Sequence, residues 1–187
     1  MRKILDIIKE QSDVIIFIVV MLCANWIWKL CVNGDEATDY VAFLGQDVSP
    51  FFHFFAKTLT HEVYTLMHPF IPTIAMSSDV KLCFTDSDFG SHTAWTCTAV
   101  KQSFIFVCIM LCSRGSWLHK IWFIPFGILC LHLINVVRLC ILTYVVGYHH
   151  ELFDLFHLYI LKYMFYFLMF MIWVLWNEKI SLLNKKK

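Results

Sequence analysis

The run IWFIPFGILCLHLINVVRLCILTYVVG, Ile121 to Gly147, contains no acid and only one permanent cation, Arg138. As a helix rising about 1.5 Å per residue, it is long enough to cross ~30 Å of hydrocarbon. Other apolar runs precede and follow it: Val14 to Val32, Thr96 to Cys112, and His157 to Trp176. The chain is 59% hydrophobic and only 16% charged, with mean hydropathy +0.67, so it has too little polar surface to cover a soluble globule. No internal repeat, low-complexity tract or Gly/Ser linker divides it. The expected fold is all-α and integral to the membrane: one domain over residues 1–187, a multi-pass bundle with at least four transmembrane helices (14–32, 96–112, 121–147, 157–176). The first run is too long for a signal-peptide core and no Ala-x-Ala site follows, so a retained helix is expected.

Loop charges give the expected orientation. Arg2, Lys3 and Lys9 precede the first run, Arg114 and Lys120 separate the second from the third, and Lys179, Lys185, Lys186 and Lys187 follow the fourth. The positive-inside rule therefore expects both termini in the cytoplasm, in a multi-pass protein of the cell's inner (cytoplasmic) membrane. Residues 33–94 are then expected outside. They carry Asp35, Glu36, Asp39, Asp47, Glu62, Asp79, Asp86 and Asp88 against Lys57 and Lys81. Within them, 50–68 reads as an amphipathic helix closed by Pro69 and Pro72. Phe52, Phe55, Leu59, Val63, Leu66 and Phe70 recur on one face, and His53, Lys57, His61 and His68 on another. Such a helix suits the membrane surface or the end of the bundle, with a re-entrant or spanning pair over 48–76 as the other option.

With this topology three reactive groups reach one depth. Cys97 opens the inward-running second span, Arg138 lies late in the outward-running third, and His157 opens the inward-running fourth. An arginine within a span costs at least ~2.5 kcal/mol on insertion scales, so Arg138 should face the bundle or a wet cavity. Asn135 shares its face, and His132 lies one turn below. Alone, Arg138 reads equally well as a structural group bonded to backbone carbonyls, and Cys97 as a small apolar residue like Cys23, Cys31, Cys108, Cys112, Cys130 and Cys140. A helix start would favour a thiolate at Cys97, with Lys101 one turn on. A disulfide to Cys83 is the rival reading. His149 and His150 compete with His157, but their Gly-Tyr-His-His-Glu setting reads as a solvated corner. His61 and Glu62 on the amphipathic helix are candidates for a lid.

Thr96-Cys97-Thr98-Ala99 at one helix start, Asn135-Val136-Val137-Arg138 late in the next and Phe156-His157 at a third, in that order, resemble the exosortase/archaeosortase family over about residues 94–175. Many members carry Cys-Ser-Gly where this chain has Cys97-Thr98-Ala99, and longer members have more helices before the core. The resemblance implies a membrane-embedded cysteine protease or transpeptidase that processes C-terminal sorting signals of exported proteins. It implies Cys97 as nucleophile, His157 as acid/base and Arg138 as oxyanion or thiolate stabiliser. The implied partners are the substrate's sorting-signal helix, the bilayer, and a lipid or glycan acceptor if water is not used. Thr93-Ala94-Trp95-Thr96-Cys97 also resembles the cysteine strand of soluble sortases, but their chain order is His, Cys, Arg on a β-barrel.

Other classes fit less well. A thiol oxidoreductase would use a Cys-x-x-Cys pair, and the chain has none. A metal or haem protein has nine His and eight Cys to draw on, but no His-x-x-x-His pair lies in a span. No cofactor, metal or nucleic acid is expected. A non-catalytic, metal-binding or redox-active multi-pass membrane protein is the alternative.

Overall fold

The computed structural model describes residues 2–86 and 89–180, with side chains from 12 to 86 and from 89 to 178. Asp88, Lys185, Lys186 and Lys187 lie outside the described residues, as do the side chains of Arg2, Lys3, Lys9 and Lys179. Helix α1 (Arg2–Cys31) leads into three strands, β1 (Val32–Asp35), β2 (Tyr40–Phe43) and β3 (Gln46–Asp47). Helix α2 (Ser49–Met67) follows, then β4 (Ile74–Ser78), β5 (Lys81–Phe84) and β6 (Gly90–His92). Helices α3 (Val100–Cys112), α4 (Trp117–Tyr148) and α5 (Leu161–Leu175) complete the fold.

Three helical stretches are long and apolar enough to cross a membrane: Ser12–Cys31, Trp117–Tyr148 and His150–Glu178. They cover the first expected run except Val32 and contain the third and fourth whole, the fourth stretch beginning earlier than expected, at His150. The second run is shorter as a helix than expected. Its α-helix covers the 13 residues Val100–Cys112, roughly 20 Å, and Thr96 and Cys97 belong to a 3₁₀ turn before it. This helix packs between α1 and α4. Gly127 of α4 lies against the Phe106 ring with no room for a Cβ, so the two helices approach closely there. Ile105, Phe106, Ile109 and Met110 are fully enclosed, with Leu131, Met169 and Trp176 around them.

The all-helical expectation misses the six strands. They form two antiparallel three-stranded meanders, β1-β2-β3 and β4-β5-β6, with α2 between them in the chain. β1 opposes β2 from Val32 with Phe43 to Asp35 with Tyr40, and β4 opposes β5 from Ile74 with Phe84. His92 of β6 lies 3.0 Å from Asp39 in the β1–β2 turn, which links the two sheets.

The amphipathic helix forms where expected, but its buried stripe is Phe52, Ala56, Leu59, Thr60, Val63 and Met67. Leu66 and Phe70 are exposed, so the inward face is rotated from the expected one. The cause is packing partners: Leu59, Val63 and Met67 meet Ile74 and Leu82 of the second sheet and Val136 and Leu139 of α4. His53, Lys57, His61 and His68 are exposed, as the periodicity predicts. Thus α2 lies against α4 at the sheet end of the bundle.

Candidate functional site

The site is built on the short connection between β6 and α3. Ala94 to Thr98 coil into a 3₁₀ turn, in which the Cys97 amide donates to the Ala94 carbonyl at 2.9 Å. The Thr98 hydroxyl and amide both donate to the Trp95 carbonyl, at 2.7 and 3.3 Å. Ala99 then takes a left-handed conformation, φ 58°, before α3 begins at Val100. For an L-residue other than glycine this costs about 1–2 kcal/mol, so the surrounding structure must hold it. Cys97 therefore does not open an α-helix, which corrects the sequence reading. Burial pushes its thiol above its ordinary pKa, with the nearby Arg138 guanidinium pulling the other way.

Asn135 fixes this turn from α4. Fully buried, it donates from Nδ2 to the Cys97 carbonyl at 2.8 Å. Arg138, three residues on, falls on the neighbouring part of the same helix face. Asn135-x-x-Arg138 thus acts as a unit, with the amide gripping the Cys97 backbone and the guanidinium reaching the space beside it. Arg138 is 8% exposed, and its Nε has no hydrogen-bond partner among the described residues.

That space is a cavity of about 590 Å³ lined by Cys97, Arg138 and His157 together. His157 lies in a π-helical turn, Leu155–Ile160, that precedes α5, and its ring stacks on Phe153 at 5.2 Å with 12° between planes. The competing histidines lie elsewhere: His150 stacks on Phe89, and His149 lies beside Tyr144. Lys101 and Gln102 from the first turn of α3 line the cavity too.

The other candidates are placed differently. Asn135 braces the site through backbone. His132 pairs with Glu62 of α2 at 2.9 Å and lines a separate, mostly apolar cavity of about 570 Å³ behind the Thr98–Val100 connection. His61 is exposed on α2, beside Thr65. Neither His61 nor Glu62 lines the first cavity, so the lid they were expected to form is not placed over it. Cys83 and Cys97 are both free thiols, and Cys83 donates to the Ala75 carbonyl across its own sheet.

Sequence reasoning missed several residues that line the cavity. Trp28 and Lys29 come from the last turns of α1, Gly34 and Glu36 from β1 and its turn, Trp95 from the 3₁₀ turn, and Lys162 and Tyr166 from α5. Gly34 is required there, because a Cβ would come within 2.9 Å of the Trp95 ring and 2.7 Å of the Tyr40 carbonyl. Lys29 and Lys162 had a signal: each is a cation inside an apolar run. Among the described residues, no three His, Cys, Asp or Glu side chains gather as a metal site would need.

A thiol, a guanidinium whose Nε has no partner among the described residues and an imidazole line one cavity, and groups of these kinds can serve as nucleophile, oxyanion donor and proton carrier. Compared with protein-family models, with curated proteins and with solved structures, the chain matches none.

Proposed function

We propose that this protein is a membrane-embedded cysteine protease or transpeptidase, similar to exosortases, that cleaves C-terminal sorting signals from exported proteins at the outer face of the cytoplasmic membrane. The observation that carries this reading is the shared cavity: Cys97, Arg138 and His157 come from three separate elements and line one space. Asn135 adds to it, since its bond to the Cys97 carbonyl gives the Asn-x-x-Arg element a mechanical role. Ala99 adds to it as well. Many family members carry glycine at this position, and the left-handed backbone found here is the one glycine adopts most readily.

In the proposed reaction His157 takes the proton from the Cys97 thiol as sulfur attacks the peptide carbonyl carbon. Arg138 donates N–H to the oxyanion that forms. Collapse breaks the C–N bond, the leaving amine takes the proton from His157, and a thioester to Cys97 remains. The acceptor's O–H or N–H then attacks that thioester, its proton passes to His157, and the thiolate leaves. Water as acceptor makes the enzyme a protease, and a lipid or glycan hydroxyl or amine makes it a transpeptidase. The high thiol pKa fits an enzyme whose nucleophile is deprotonated only as substrate enters. A substrate tethered by its own membrane helix is already confined beside the cavity, which raises its effective concentration.

The test is co-expression with an exported protein ending in a short motif, one hydrophobic helix and a basic tail, read by mass spectrometry of its mature C-terminus. Cys97→Ala and His157→Ala are expected to leave the tail uncleaved. Normal cleavage by Cys97→Ala would sink the enzyme reading. Arg138→Lys keeps the charge but loses the planar fork, so a fall in turnover of at least about tenfold is expected.

A further inference from the structure

The walls of this cavity carry far more positive charge than the proposed peptide chemistry uses. Lys29, Lys101, Arg138 and Lys162 line it against a single carboxylate, Glu36. Oxyanion stabilisation needs only Arg138. The three lysines come from three helices, α1, α3 and α5, and none is ion-paired among the described residues. Elsewhere the chain does pair exposed lysine, as Lys57 with Asp79 at 2.8 Å. Like charges brought to one space repel, and a fold that keeps them there without carboxylates leaves them available to an anion.

The kind of anion follows from the donors. Ammonium groups are compact point charges, each with three donors, and three of them around a space suit a tetrahedral oxyanion approached from several sides. A planar carboxylate with a single charge would leave most of this cluster uncompensated. Apolar and aromatic side chains, Trp28, Leu158 and Phe165, also line the cavity. α1 and α5 touch toward the far end, where Phe17 packs on Phe170 and Trp173 with centroids 5.2 and 4.9 Å apart. At the sheet end Trp28 and Lys29 of α1 and Lys162 of α5 are wall residues of the cavity.

We propose that Lys29, Lys101 and Lys162 form a binding site for a phosphate-bearing ligand, held beside Cys97 by its phosphate group. That this ligand is the acceptor of the acyl group rests on the function proposed above, but its binding does not.

The experiment uses the full chain purified in a neutral detergent and titrated calorimetrically with inorganic phosphate, dihexanoyl-phosphatidylglycerol and hexanoate. Saturable binding of a phosphate probe is expected, with hexanoate at least about tenfold weaker. Tighter binding of the lipid than of inorganic phosphate assigns the source as a headgroup, and equal binding assigns it as free phosphate. Lys29→Gln, Lys101→Gln and Lys162→Gln are each expected to weaken binding about tenfold. The corresponding Lys→Arg variants retain it, which guards against mere misfolding, and Lys57→Gln changes nothing. The inference is overturned if no phosphate probe saturates, if hexanoate binds equally well, or if the triple glutamine variant still binds. Cys97→Ala separates the two proposals. It should bind the probe while failing to cleave; binding with cleavage intact sinks only the catalytic reading, and loss of cleavage in a protein whose wild type binds no phosphate sinks only this one.

Discussion

Arg114, just before α4, and Arg138, late in it, are held in opposite ways. Arg114 lies 3.3 Å from Asp13 of α1, and its carbonyl accepts from Trp176 Nε1 at 3.0 Å. Around it, Ser113 accepts from Trp173 Nε1 through Oγ, and Lys120 donates to the carbonyls of Leu111 and Ser113 at 3.1 and 2.6 Å. This connection is knitted to α1, α3 and the end of α5 by bonds within the chain. Arg138 is buried, where the Arg114 side chain is 49% exposed, yet its Nε has no hydrogen-bond partner among the described residues, and Lys29, Lys101 and Lys162, which line the same cavity, form no ion pair among them. Polar groups that satisfy one another hold a fold together, whereas a buried group left unsatisfied, as Arg138 Nε is, costs stability and points to a ligand or a reaction.

The sharpest way to break this contrast is to remove one cation from each end. Lys120→Met takes the only donor from two carbonyl bonds at the end of α3, and is expected to lower stability by roughly 2–4 kcal/mol. Arg138→Met removes a buried charge with no ion-pair partner among the described residues, so stability should fall by less than about 1 kcal/mol, or rise. Thermal unfolding of both variants in the same detergent reads the difference. Equal destabilisation by the two would mean that Arg138 is a structural arginine after all.

A smaller effect is expected in the chemistry of Cys97. Burial raises its pKa, so alkylation by a small uncharged maleimide should reach half its limiting rate at a higher pH than for an exposed cysteine. Arg138 pulls this pKa down, and taking it away leaves burial unopposed. The sign is therefore fixed: Arg138→Gln moves the midpoint to still higher pH. A midpoint that does not move, or moves down, would show that guanidinium and thiol do not sense one another.

The same contrast explains what could be read from sequence. Long apolar runs report burial in any surrounding, so Ser12–Cys31, Trp117–Tyr148 and His150–Glu178 were legible. The strands were not. β1 is Val-Asn-Gly-Asp with only Val32 buried, and β3 has two residues, so neither has the alternation by which strands are recognised. They exist through backbone pairing with the next strand in each meander, and a side-chain contact from His92 to Asp39 links the two sheets. The start of α3 was misplaced for a similar reason. Nothing in Thr96 to Val100 breaks a helix by composition, and the turn there depends on Asn135, 38 residues further on. Lys29 and Lys162 were passed over because each is one charge within an otherwise apolar span.

The smallest expected effect concerns the backbone of that turn. Ala99 and Ala24 are both buried in the same apolar core, at 4% and 2% exposure, so their methyl groups have comparable surroundings. Ala24 lies inside α1, where glycine costs about 1 kcal/mol in helix propensity besides the lost methyl contact. Ala99 has φ 58°, where glycine relieves about 1–2 kcal/mol of strain, offsetting the lost methyl and the greater freedom of glycine in the unfolded chain. Ala24→Gly should therefore lower stability by at least about 1 kcal/mol, while Ala99→Gly should change it by less than about 0.5 kcal/mol. A loss at Ala99 as large as that at Ala24 would mean that α3 runs unbroken through Thr98 and Ala99. The Cys97 thiol would then regain the helix start expected from sequence, and the contrast between the two ends of the bundle would lose its strained turn.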